Sequence, residues 1–94
     1  MRRQREIVAM FAGDDQAPES VVIEVEYEPD KFVEFEAEKF ETAEARDFGG
    51  AEVSVVVAVI ANDLPAGIQP GKIRVSGLYG SGWQTRPPAA VRER

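Results

Sequence analysis

Residues 23–38 read IEVEYEPDKFVEFEAE. Apolar residues alternate with glutamates in two short runs on either side of Pro29-Asp30-Lys31, the pattern of two half-buried strands joined by a turn. A two-residue turn at Pro29-Asp30 would pair Glu28 with Lys31 and then set Glu26 opposite Val33 and Glu24 opposite Phe35, mixing acids and core residues on one face. A three-residue loop over Pro29-Asp30-Lys31 instead pairs Tyr27 with Val33, Val25 with Phe35 and Ile23 with Ala37. It also brings Glu26 opposite Glu34 and Glu24 opposite Glu36. One face of the hairpin is then apolar and the other carboxylate. Pro29 and Asp30 suit a type I turn, while the third loop position favours a left-handed residue and holds Lys31.

Such a face has a cost. Two carboxylates about 5 Å apart on paired strands repel by about 0.8 kcal/mol even at the dielectric of bulk water. Strand faces that mix Thr, Lys and Glu avoid this, so an unmixed face points to a use for the field itself. Glu24, Glu26, Glu28, Glu34, Glu36 and Glu38 occupy about 13 Å of strand, near one charge per 2 Å, against one per about 1.7 Å of duplex DNA. Most protein contacts to nucleic acid go to phosphate, so an acidic sheet of this density suits a site built for a phosphate backbone. The competing explanation is a solvated outer face that keeps a small domain soluble.

Charge along the chain supports the same emphasis. The net charge is −6, but residues 13–63 hold fifteen acids against three bases, and both ends are basic. An acidic centre repels nucleic acid and anionic membrane and favours a basic partner. With 94 residues the chain has room for one core. It has neither Cys nor His, which removes disulfides, thiolate metal sites and the commonest general base and metal ligand. The start MRRQREIVAMFAGDDQ imitates a leader, but its apolar run, residues 7–12, is short and is followed by Asp14 and Asp15. The longest apolar run, VSVVVAVIA at 53–61, is half the length of a membrane span of about 20 residues. A cytoplasmic protein without cofactor, metal or membrane partner is expected.

Five strands are predicted: residues 6–12, 20–28, 32–39, 51–61 and 72–79. The fourth is the strongest, with Val53, Val55, Val57 and Val59 on one face and Val56, Ala58 and Ile60 on the other, so its second half should be covered on both sides and the strand central. Thr42 is placed to cap a single helical turn in ETAEARDFGG, ended by Gly49-Gly50. The fold class is therefore mainly β, a small five-stranded antiparallel barrel, roll or sandwich with one short helical turn. Val25, Tyr27, Val33, Phe35, Val55, Val57, Ile73 and Val75 should share its core. This element order is also that of an OB-like barrel, but the acidic second and third strands exclude that fold's usual nucleic-acid ligand. Residues 1–83 form the domain; residues 84–94, with Pro87-Pro88 and three arginines, lack any period and are expected as a disordered tail.

Other motifs carry less. PAGIQPGK lacks the Walker spacing and reads as a turn. GDDQAPE, with Asp14, Asp15 and Glu19, lacks the alternation of a calcium loop. Trp83, in GLYGSGW, is either a cap on the core or an exposed binding anchor. A uniform acidic face offers no pair of carboxylates in contrasting environments for acid–base work, so no catalytic residues are expected.

The sequence thus points to a non-enzymatic acidic protein-binding module. Its expected contact residues are Glu24, Glu26, Glu28, Asp30, Glu34, Glu36, Glu38 and Trp83, and its expected partner is a basic, nucleic-acid-binding protein. An inhibitor of phage type, which fills the nucleic-acid site of a restriction or CRISPR protein by charge mimicry, would have this physics. The alternative is an assembly subunit, for example of a phage particle, that self-associates as Arg2, Arg3, Arg5, Arg92 and Arg94 reach the acidic face of a neighbouring copy.

Overall fold

Odd-numbered positions are apolar in several short segments of the chain, and a sheet that buries one face requires that alternation. A computed structural model of the chain describes residues 4–11, 17–43, 55–62, 64 and 68–93. Seven strands run through them: β1 (Gln4–Phe11), β2 (Ser20–Glu28), β3 (Lys31–Ala43), β4 (Val55–Asn62), β5 (Ile73–Tyr79), β6 (Gly82–Arg86) and β7 (Ala90–Glu93). A 3-10 turn at Pro70–Lys72 leads into β5, and the described residues contain no α-helix. No helix among them is long and apolar enough to cross a membrane.

Hydrogen bonding orders the strands β6-β5-β2-β3-β4-β1-β7, with every neighbouring pair antiparallel. β3 is the hinge of this order. Its first half pairs with β2 and its second half with β4, with a shift of register between Ala37 and Lys39. The sheet therefore divides into two four-stranded leaves that share β3. Ile7, Ala9 and Phe11 of β1, Ile23 and Val25 of β2, Val57, Val59 and Ala61 of β4, and Ile73, Val75 and Tyr79 of β5 are buried together in one core.

β4 lies between β3 and β1 as its two apolar faces require, with Val57 and Val59 buried in the core and Val56 and Ile60 buried on the opposite face. Of the remaining residues expected in the core, Val25, Ile73 and Val75 are buried and Phe35 packs against it half-buried. Tyr27 and Val33 are not core residues: they are 61% and 45% exposed, Tyr27 at the register shift next to the hairpin turn and Val33 on β3 opposite the buried Val25. The side chain of Val55 lies outside the described residues.

Two further expectations are corrected. Thr42 caps no helical turn; it sits inside β3 opposite Val57. Residues 44–50, the rest of that stretch, lie outside the described residues. The segment after Trp83 is no disordered tail either. It supplies β6, which hairpins back onto β5, and β7, which pairs with β1 through Ile7 and Val91 and makes the strand count seven rather than five. Gly82 allows the tight return from β5, since its φ of +117° suits glycine alone. Pro87 and Pro88 then carry the chain from one leaf to the other, with no ladder bonds for a proline to break.

Candidate functional site

The β2–β3 hairpin takes the two-residue turn at its tip but follows neither of the two expected registers beyond it. Pro29 and Asp30 form a two-residue turn with Glu28 opposite Lys31, and Asp30 takes the left-handed φ of 62° that Asp tolerates. A bulge at Tyr27 then restores the alternation. Beyond it Glu26 lies opposite Phe32, Val25 opposite Val33, Glu24 opposite Glu34 and Ile23 opposite Phe35. The division into an apolar and a polar face is as expected, but the partners are displaced by two residues. Of the expected like-charge pairs Glu26/Glu34 and Glu24/Glu36, neither forms, and Glu24/Glu34 replaces them.

The polar face is not purely carboxylate. β5 lies on the other side of β2, in a register that puts Arg74 opposite Glu24. The Arg74 guanidinium donates to a Glu24 carboxylate oxygen at 3.4 Å and stacks over Phe32, 3.5 Å from the ring centre. Lys72, at the end of the 3-10 turn, donates from Nζ to Glu26 at 2.9 Å, and Lys31 lies 3.2 Å from Glu28. The expected charge row is thus interrupted by Lys72 and Arg74, distant in sequence, and by Lys31 of the hairpin itself.

Glu26 records the effect. The hydrogen bond from Lys72, followed by one from the Asp30 backbone N–H at 3.3 Å, holds its carboxyl below the usual carboxylate value. A depressed folded-state pKa contributes stability that is complete above the unfolded-state value and is lost as pH falls through the lower one. Replacing Lys72 with Met should move the Glu26 titration midpoint, followed by carboxyl NMR shifts, back up toward its ordinary value. An unmoved midpoint would show that Lys72 does not set it.

Glu34 differs from its neighbours: it is exposed and makes no ion pair or hydrogen bond among the described residues. Across the same outer face, Trp83 of β6 stands opposite Leu78 and is 54% exposed, so it is no core cap. The Ser76 and Thr85 hydroxyls, 2.9 Å apart, tie β5 to β6 beneath it. Val22, Glu24, Glu34, Ser76 and Trp83 line a shallow depression of about 220 Å³.

The structure therefore gathers three of the expected contact residues, Glu24, Glu34 and Trp83, around one depression. Glu26, Glu28 and Asp30 continue toward the hairpin tip. Glu38 lies at the register shift within β3 and accepts a hydrogen bond from Gln4, and the side chain of Glu36 lies outside the described residues. Sequence reasoning missed Phe32, Lys72, Arg74 and Ser76 as parts of this face. Lys72 and Arg74 alternate with Ile73 and Val75, which marks them as outward-facing, but nothing local identifies β2 as their neighbour.

Among the described residues no group of three or more His, Cys, Asp and Glu side chains is placed to hold a metal ion. Asp14 and Asp15 of the calcium-loop candidate, and residues 65–67 of PAGIQPGK, lie outside the described residues. No family model matches the chain, and no curated protein or solved structure is significantly similar to it.

Proposed function

We propose that the chain is a non-enzymatic protein-binding module that presents the outer face of the β6-β5-β2-β3 leaf to a basic partner. The observation that carries this reading is the pairing of an exposed Trp83 with the unpaired Glu34 across one depression. Exposed tryptophans in shallow hollows are typical anchors of protein interfaces, and the surrounding acidity steers a basic surface toward them. The net charge of −6 acts in the same direction.

In its narrowest form the reading is a cytoplasmic inhibitor of phage type, seated where a restriction or CRISPR protein binds nucleic acid. The salt bridges of Glu24 and Glu26 weaken the likeness to an even row of phosphates, so the aromatic group beside Glu34 takes more of the recognition. Assembly through basic termini finds less support. Arg5 is only 6% exposed and donates to the Leu64 carbonyl at 3.0 Å and to Glu93 at 3.3 Å, and Arg92 lies 3.9 Å from Glu6. Arg2, Arg3 and Arg94 lie outside the described residues.

The immobilised protein should capture a basic protein that elutes on a salt ramp below roughly 0.5 M, where screening reaches contact distances. A short DNA or RNA duplex should release the same protein at low salt, since both ligands use one surface of the partner. Capture that survives saturating duplex would rule out the nucleic-acid-site form.

A further inference from the structure

The outer face of the β6-β5-β2-β3 leaf already holds one cation between an aromatic ring and a carboxylate. The Arg74 guanidinium lies 3.5 Å from the centre of the Phe32 ring while its Nη2 donates to Glu24 at 3.4 Å. Trp83 and Glu34 are groups of the same two kinds on the same face, and they border a common depression with Val22 and Ser76. No cation among the described residues is paired with Glu34. An indole attracts a cation more strongly than a phenyl ring does. Glu24 faces Glu34 across the strands, so the depression has carboxylates on two sides. Its volume of about 220 Å³ is too small for a drug-sized ligand and suits a single side chain.

We infer that this depression receives one arginine side chain of a basic protein, with the guanidinium stacked on Trp83 and hydrogen-bonded to Glu34. The inference rests on the reading of this face as a protein-binding surface and adds the residue that the surface selects. Arginine is preferred to lysine because a planar guanidinium stacks on a ring and bonds a carboxylate through its fork at once, whereas an ammonium acts as a compact point charge. Arg74 shows that an arginine on this face is held by a ring and a carboxylate at once.

Trp83 is the chain's one tryptophan, so its indole N–H resonance and its fluorescence report on the depression alone. The intact protein is titrated with the peptide acetyl-Gly-Arg-Gly-amide, and with the same peptide carrying lysine or citrulline in place of arginine. The arginine peptide should shift the indole resonance saturably in the millimolar range, the lysine peptide should bind several-fold more weakly, and neutral citrulline should give no saturable shift. Glu34→Gln should weaken the arginine peptide about fivefold without lowering the melting temperature, because Glu34 supports no other group. Trp83→Phe should retain part of the binding and Trp83→Ala should remove it, as read from the backbone amides of Val22 and Glu34. The inference is overturned if citrulline binds as well as arginine, if Glu34→Gln has no effect, or if no saturation appears by about 50 mM peptide.

These titrations do not involve the natural partner. If arginine selectivity is absent while capture of a basic protein still depends on Glu34, the arginine site alone is retired. Selective arginine binding together with capture indifferent to Glu34 would retire the protein-binding reading and leave the arginine site standing.

Discussion

Truncation after Pro88 should lower the melting temperature by roughly 12 to 24 °C, the equivalent of about 3 kcal/mol in a domain of this size. The cut removes β7, whose residues Ala90–Glu93 pair with Arg5–Val8 of β1, and with it Val91, which packs against the core. It also removes Glu93 from the buried Arg5. Taking one partner from a fully buried ion pair costs about 3 to 5 kcal/mol, but the Glu93 side chain is 69% exposed, so solvent screening lowers that share well below this range. Glu93→Gln separates the two contributions: it keeps the strand and should cost under about 1 kcal/mol. Thermal unfolding followed by circular dichroism measures both variants. An unchanged midpoint in the truncated chain would show that β7 is not part of the fold, as the aperiodic sequence of this segment first implies.

Phe11→Ala should destabilise the protein by about 3 to 5 kcal/mol, the range for loss of a fully buried ring. Phe11 is among the largest side chains buried without residual exposure, and its ring centre lies 5.8 Å from that of Tyr79 at an interplanar angle of 56°. The space it fills cannot close easily. Gly77 makes room beside it: a Cβ there would lie 3.2 Å from Tyr79 Cε2, 3.3 Å from Pro18 Cβ and 3.5 Å from Phe11 Cζ. Gly77 and Tyr79 are fixed by β5, which is paired on both sides, so the cavity left by alanine should persist rather than collapse. Urea unfolding gives the value directly, and a loss under about 1 kcal/mol would show that this end of the core is loosely packed.

Alternation made the strands legible where it ran for several residues. β2 keeps both expected ends, Ser20 and Glu28, and β4 occupies the central place that Val56, Val57, Val59 and Ile60 demand. The hairpin's faces were legible for the same reason, since side-chain direction depends only on parity. Its register was not. Asp30 adopts a positive φ that closes a two-residue turn, and the bulge at Tyr27 then corrects the parity, so two local irregularities compensate each other.

Strand order was the larger omission for function. The repulsion expected along the glutamates is relieved by Lys72 and Arg74, whose proximity depends on β5 lying beside β2, a fact of topology rather than of local pattern. β6 and β7 escaped notice because strands of five and four residues show no measurable period, and Val91 is the only residue of β7 that packs against the main core. Trp83 left two readings open in the sequence, and its place on the outer face of an outermost strand settles it as exposed.

Two charge reversals distinguish binding through the Trp83–Glu34 face from a general attraction to the acidic surface. Glu34 and Glu41 are both exposed on β3, and replacing either with Lys changes the net charge by the same two units. Glu41 lies in the half of β3 that pairs with β4, away from the depression. The affinity of the captured basic partner for each variant is measured by calorimetry at fixed salt. Glu34→Lys should weaken binding at least about tenfold, while Glu41→Lys should stay within about threefold of the parent, both with melting temperatures near the parent's. Equal losses from the two reversals, or no loss from Glu34→Lys, would contradict the assignment of this face.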